Sequence, residues 1–197
     1  MILHWILAAM LASTSFIPPS GALRWRNTLI REVHYTWGLG ESPSTFFGQV
    51  AQESSWNPNA RSQFAAGLTQ FTPATAAGIA GTSRLRELCA EQGGCPLDPH
   101  WALRAMVMYD RDIWNGQHAF SGDERIAAML VGYNGGAGWV TRERTVCARV
   151  SGCDPARWFG HVEQHCVRAH WACIESRYYP DVILHKWKPL YQNWLAR

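Results

Sequence analysis

Four times along the chain, a side chain able to cap a helix stands just before residues that suit a helical first turn. These are Ser42-Pro43, Thr72-Pro73, Asp98-Pro99 and the run Ser121-Gly122-Asp123-Glu124. Serine, threonine and aspartate satisfy the free N–H groups at a helix start, and proline fits there because its missing N–H costs nothing. Ser121 with Glu124 has the spacing of a capping box. Apolar residues recur behind these signals at helical spacing: Phe46, Phe47, Val50 and Ala51, then Ala102, Met106, Tyr109 and Ile113, then Ile126, Ala127, Leu130 and Val131. Stops follow at Trp56-Asn57-Pro58, at Gly78 or Gly81, and at Asn134-Gly135-Gly136. Trp25 to Trp37 reads as a further helix that stops near Gly38 and Gly40, and Tyr179 to Trp194 as helical in part, interrupted by Pro189. Only residues 61–72 look able to hold short strands. The expectation is a mainly α single domain with little strand.

The chain has 197 residues, 47% of them hydrophobic, which supplies a core for one domain. Eleven are Trp, read first as packing residues, with carbohydrate stacking open to a few. The net charge is +3, carried by sixteen Arg and two Lys that are scattered rather than clustered. That tolerates an anionic partner but argues against a nucleic-acid binder.

Residues Ile2 to Ile17 carry no charge and are followed by Pro18, Pro19, Ser20, Gly21 and Ala22. The run is short for a membrane span of about 20 residues. Ser20 and Ala22 would suit signal-peptidase cleavage after Ala22, although the usual positive start is missing. Residues 1–22 are therefore expected to be a signal peptide or N-terminal membrane anchor, and 23–197 the folded domain. Burial as an N-terminal helix of a cytosolic fold is the alternative. Six cysteines favour export. Their close spacing suggests the pairs Cys89–Cys95, Cys147–Cys153 and Cys166–Cys173. A rival for part of this set is zinc, since His161, His165, Cys166, His170 and Cys173 are spaced like ligands.

Within residues 51–77 Glu53 is the only acid, and the next along the chain is Glu87. The helix pattern places Glu53 in a last turn, where the helix dipole disfavours negative charge. Apolar neighbours would add a desolvation penalty of the same sign. Both raise the pKa, as a general acid requires. These facts alone fit an ordinary solvated glutamate as well.

Three blocks then align in order: QESSWNPNARSQFAAGLTQFTPATA at 52–76, GYNGGAGWV at 132–140 and ESRYYPDVIL at 175–184. Together they resemble the catalytic domain of soluble-type lytic transglycosylases, a goose-lysozyme-like family that cleaves peptidoglycan. The resemblance implies an α+β lysozyme-like fold, a helical bundle around a glycan cleft. It implies Glu53 as the catalytic acid/base. It implies Ser62, Gly67, Leu68, Gln70, Tyr133, Asn134 and Tyr179 as cleft residues, with Ser62 and Tyr179 orienting the acid or the sugar. The serine beside the acid is Ser54. The chain departs from the pattern in a shorter loop between Ser62 and Gly67, in Thr69 for methionine, in Gly132 and Gly135 for alanines, and in Ser176 for threonine. These are changes of size, and they bear on cleft shape more than on chemistry.

Glycosidases commonly use two carboxyl groups. The resemblance implies that one suffices: Glu53 protonates the MurNAc–GlcNAc β-1,4 glycosidic oxygen, then deprotonates the sugar's own C6 hydroxyl, which closes a 1,6-anhydro ring. A hydrolytic lysozyme on the same fold is the rival and needs a base, with Asp98, Asp110, Asp112 and Asp123 as candidates. A non-catalytic cell-wall binding protein is the second rival. No cofactor is called for, and the expected partner is the glycan strand, bound by a monomer in the periplasm or cell envelope. The small size suits a phage-type lysin, with a secretion-system wall-opener or a housekeeping recycler as alternatives. Residues 139–174 match no part of the family pattern.

Overall fold

A computed structural model describes residues 16–197. The apolar run expected as a leader lies mostly before that range. The helices in order are α1 (Ser20–Trp37), α2 (Ser44–Ser54), α3 (Pro73–Ala80), α4 (Ser83–Arg86), α5 (Pro99–Gly116), α6 (Gly122–Gly135), α7 (Ala137–Cys147), α8 (His170–Val182) and α9 (Lys188–Leu195). A 3₁₀ turn, Val162–His165, precedes α8, and a π-helical turn, Ile183–Trp187, joins α8 to α9. Among the described residues the β structure is two isolated bridges, Arg61 with Ala66 and Ala66 with Phe71, inside the 61–72 segment expected to hold it. The fold is mainly α.

Two of the four starts follow the caps, while α2 begins after Pro43 with no side-chain cap. Thr72 accepts from the Thr75 N–H, and one carboxylate oxygen of Asp98 accepts from His100 and Trp101 N–H. The capping box does not form. Ser121 makes no side-chain cap, and Glu124 instead accepts the backbone N–H groups of Trp158 and Phe159 at 2.7 and 3.0 Å. A long-range use of the carboxylate has displaced the local one. Helix α1 starts at Ser20 rather than Trp25, with Ala22 fully buried. Pro189 does not interrupt the C-terminal region: it lies in the first turn of α9, where it fits, and Pro180 is accommodated inside α8.

Two core clusters form. One gathers α1, α2 and α5 with Leu68, Phe71 and Tyr191, and the other gathers α6, α7 and α8 with Trp158 and Ile183. Tyr109 and Tyr133 pack against both, so the seam between the clusters runs past them. The cysteines pair as Cys89–Cys95, Cys147–Cys153 and Cys166–Cys173. That leaves no thiolate for the zinc set, and His161 Nδ1 is occupied in accepting the Asp154 N–H.

Candidate active site

Helix α2 ends because Ser55 and Trp56 both turn left-handed, at φ 50° and 66°. That conformation is costly for a bulky side chain. It is held because Trp56 is 2% exposed, packs against Phe47 and donates its indole N–H to the Tyr191 hydroxyl at 2.7 Å. The reversal leaves Glu53 in the last turn of α2, facing a groove of about 520 Å³. Ser62, Gln70, Tyr109, Tyr133, Asn134 and Glu175 line the same groove.

The Tyr179 hydroxyl, brought in by α8, donates to Glu53 Oε1. Burial pushes the Glu53 carboxyl up to about 8. The Tyr179 hydrogen bond opposes that rise and the Glu175 charge adds to it. Glu53 is thus neutral at pH 7, while its groove position leaves it within reach of a bound molecule. Burial also holds the Tyr179 and Tyr133 hydroxyls well above their ordinary range, so both act as neutral donors.

The loop that follows α2 is tied down mainly through its backbone. The Ser54 hydroxyl donates to the Leu68 carbonyl at 2.8 Å, and the Tyr133 hydroxyl to the Thr69 carbonyl at 2.7 Å. Gln70, left-handed at φ 47°, donates its amide to the carbonyls of Gly67 and Ala60 at 2.9 and 3.3 Å. Ser62 accepts from the N–H groups of Phe64 and Ala65, so its hydroxyl shapes the loop and makes no contact with Glu53. Gly67 and Leu68, expected among the cleft residues, do not line the groove. Leu68 is 1% exposed and belongs to the core. Gly67 is left-handed and passes so close to the Pro96 carbonyl that a Cβ would collide with it. Both support the groove from behind.

The candidate aspartates do not line this groove. Asp98 caps α5, Asp112 is exposed, and Asp123 pairs with Lys188 at 3.1 Å beside a separate hollow. Asp110 is fully buried and accepts from the Gln49 amide at 3.2 Å. Burial raises it well above the usual carboxylate range, which disfavours the ionised form a base needs, and it does not line the groove. The carboxylate in the groove that sequence reasoning passed over is Glu175, which accepts from the Asn134 amide at 3.0 Å. Its signal was present, since it opens the third aligned block.

The larger hollow, about 620 Å³, lies at the other end of α6 between Trp37, Arg111 and Trp114. Its carboxyls, Glu41 and Asp123, have no hydroxyl holding them as Tyr179 holds Glu53, which leaves the smaller groove as the better candidate for acid chemistry.

No curated protein matches this chain. A family model described as the transglycosylase SLT domain matches residues 33–146. That is more than half of the chain, from α1 through α7. It takes in Glu53, the loop that follows α2 and Asn134, and it stops before Glu175 and Tyr179. The chain belongs to the transglycosylase SLT domain family, whose substrate is peptidoglycan.

Proposed function

We propose that this protein is a lytic transglycosylase that cleaves the MurNAc–GlcNAc β-1,4 bond of peptidoglycan with Glu53 as its single acid and base. The observation that carries this reading is a groove-facing carboxyl raised to about 8 by burial and held by one hydroxyl. Neutral Glu53 gives its proton to the glycosidic oxygen as the C1–O bond breaks. The substrate's acetamido carbonyl stabilises the positive centre at C1. Ionised Glu53 then accepts the C6 hydroxyl proton as that oxygen bonds to C1. The 1,6-anhydro product consumes no water, and the enzyme recovers its proton. Nucleophile and electrophile share one ring, so a second enzyme carboxylate is not required. Tyr179 holds the carboxyl in its working orientation. Gln70, Ser62 and Tyr133 act through the loop they brace, and Asn134 faces the sugar.

Hydrolysis is the second reading, and Glu175 is the reason to keep it. It lies in the same groove and is a candidate to activate water on a glycan positioned by Glu53. Digestion of purified sacculi followed by mass spectrometry separates the two. Anhydromuramyl ends are expected, and reducing ends without anhydro ends would replace the first reading by the second. The three bridges suit an oxidising compartment, which supports action outside the cytoplasm, in the periplasm or envelope. Action as a monomer, and any tether through residues 1–22, belong to the same proposal.

A further inference from the structure

Beside the Glu53 groove lies a second hollow of about 340 Å³, within the size range of small-ligand sites, about 300–1,000 Å³. It shares Asn134, Gly135 and Glu175 with the groove, so the two hollows adjoin. Its far side is formed by Trp139 on α7 and Trp171 on α8. Trp171 is 69% exposed, an indole left in water where most of the Trp in this chain are packed.

The wall carrying Trp171 is held rigidly. The Cys166–Cys173 bridge closes the loop that enters α8. Within that loop Arg168 reaches inward and makes a paired contact with Glu143 of α7, at 2.8 and 2.9 Å, with side chains 4% and 1% exposed. The Arg168 guanidinium passes over Gly135, where a Cβ would collide with it. A glycine in place of the family's alanine therefore makes room for an element outside the family pattern. Arg142 lies over the Trp139 ring at 4.6 Å.

We infer that this hollow is a further saccharide subsite. The sugars beyond the scissile bond would stack their apolar faces on Trp171 and Trp139, and the Cys166–Cys173 bridge keeps Trp171 in register with the groove. The inference rests on the glycan reading of the groove. The chemistry fits a pyranose: an aromatic surface for its C–H face, with Asn134 and Glu175 for its hydroxyls and amides. The 166–173 loop therefore makes the enzyme sensitive to strand length.

The test is binding, measured by titration calorimetry in a Glu53→Gln background so that no strand is cut. The probes are peptide-free glycan strands of four and eight sugars. The parent should bind the longer strand more tightly. Trp171→Ala should remove roughly tenfold of that gain while leaving the four-sugar affinity in place. Because Trp171 is exposed, its removal leaves the core intact. The double change Cys166→Ser with Cys173→Ser should reproduce the loss. Equal affinity for both lengths in the parent, or an undiminished gain in Trp171→Ala, overturns the subsite. An undiminished gain in the cysteine variant overturns the bracing role. Absence of binding by either strand overturns the glycan reading as well. Reducing ends in the digestion experiment would leave the subsite standing.

Discussion

The two walls of the groove are held by different physics. The wall that carries Glu53 is made of the end of α2 and the loop through Gln70. It is fixed by hydrogen bonds to loop carbonyls and by Leu68 and Phe71 in the core, with no covalent link within it. The wall opposite is made of α7, α8 and the chain between them. It is fixed by two disulfides and the buried Arg168–Glu143 pair. The first wall sets where one carboxyl sits and how strongly it is desolvated. The second sets how much glycan the groove can hold. Chemistry and reach can therefore be damaged separately, and the largest effects should fall on opposite walls.

On the first wall, Glu53→Gln should lower the rate of cell-wall solubilisation by on the order of 10²–10⁴-fold, the contribution of positioned acid–base catalysis. It should not lower stability. Glu53 is raised from about 4.5 unfolded to about 8 folded, so between those values the native state holds a proton that the unfolded chain has lost. Native stability from this group is therefore largest below about 4.5 and declines as pH rises to about 8. The glutamine variant lacks that decline. Its Tm relative to the parent should rise from pH 5 to pH 8, and a constant difference would show that Glu53 is not desolvated. Parent activity should fall as pH rises through about 8, because the acid is lost.

On the second wall, the sensitive point is the ion pair. Glu143→Ala leaves the Arg168 guanidinium buried without its partner, a loss of about 3–5 kcal/mol in comparable cases. The expected result is a clear drop in the denaturation midpoint. Cleavage of short strands by the protein that remains folded should be little changed. Equal loss of stability and of short-strand turnover would show that the walls are not separable.

The same division explains what the sequence made legible. Helices α3 and α5 were readable from their caps, and α2 from its apolar spacing, because such signals act over a few residues. Glu53 in a last turn was readable for the same reason, and the aligned blocks supplied Tyr179. The size of the desolvation at Glu53 was not readable, because it comes from burial of the carboxyl in the folded chain rather than from its local sequence. Glu124 misled for a related cause: its spacing from Ser121 is that of a local cap, but Trp158 and Phe159 claim its carboxylate. Helix α7 and the Arg168–Glu143 pair gave no local signal, since the pair joins residues 25 apart. Gly67 and Leu68 were legible as members of a motif that lines and supports the cleft, but which of the two each does was not, because only the packed chain shows what lies against them.

The smallest expected effect concerns Asp110, which sits behind the first wall. Its Oδ2 and the Gln49 Oε1 are both buried without a hydrogen-bond partner, while the Gln49 amide donates to Oδ1. Two acceptors without donors are costly. Burial raises the Asp110 carboxyl well above its usual range and so favours the protonated form, which would supply one of the missing donors and remove a charge beside Glu53. Asp110→Asn replaces one neutral, similarly shaped group by another. Stability should change by no more than about 1 kcal/mol, and activity should keep its fall near pH 8. A large loss of activity with the fold intact would mean that Asp110 ionises during turnover, and the division between an acid-bearing wall with one working carboxyl and a glycan-holding wall would then need a second acid on its first side.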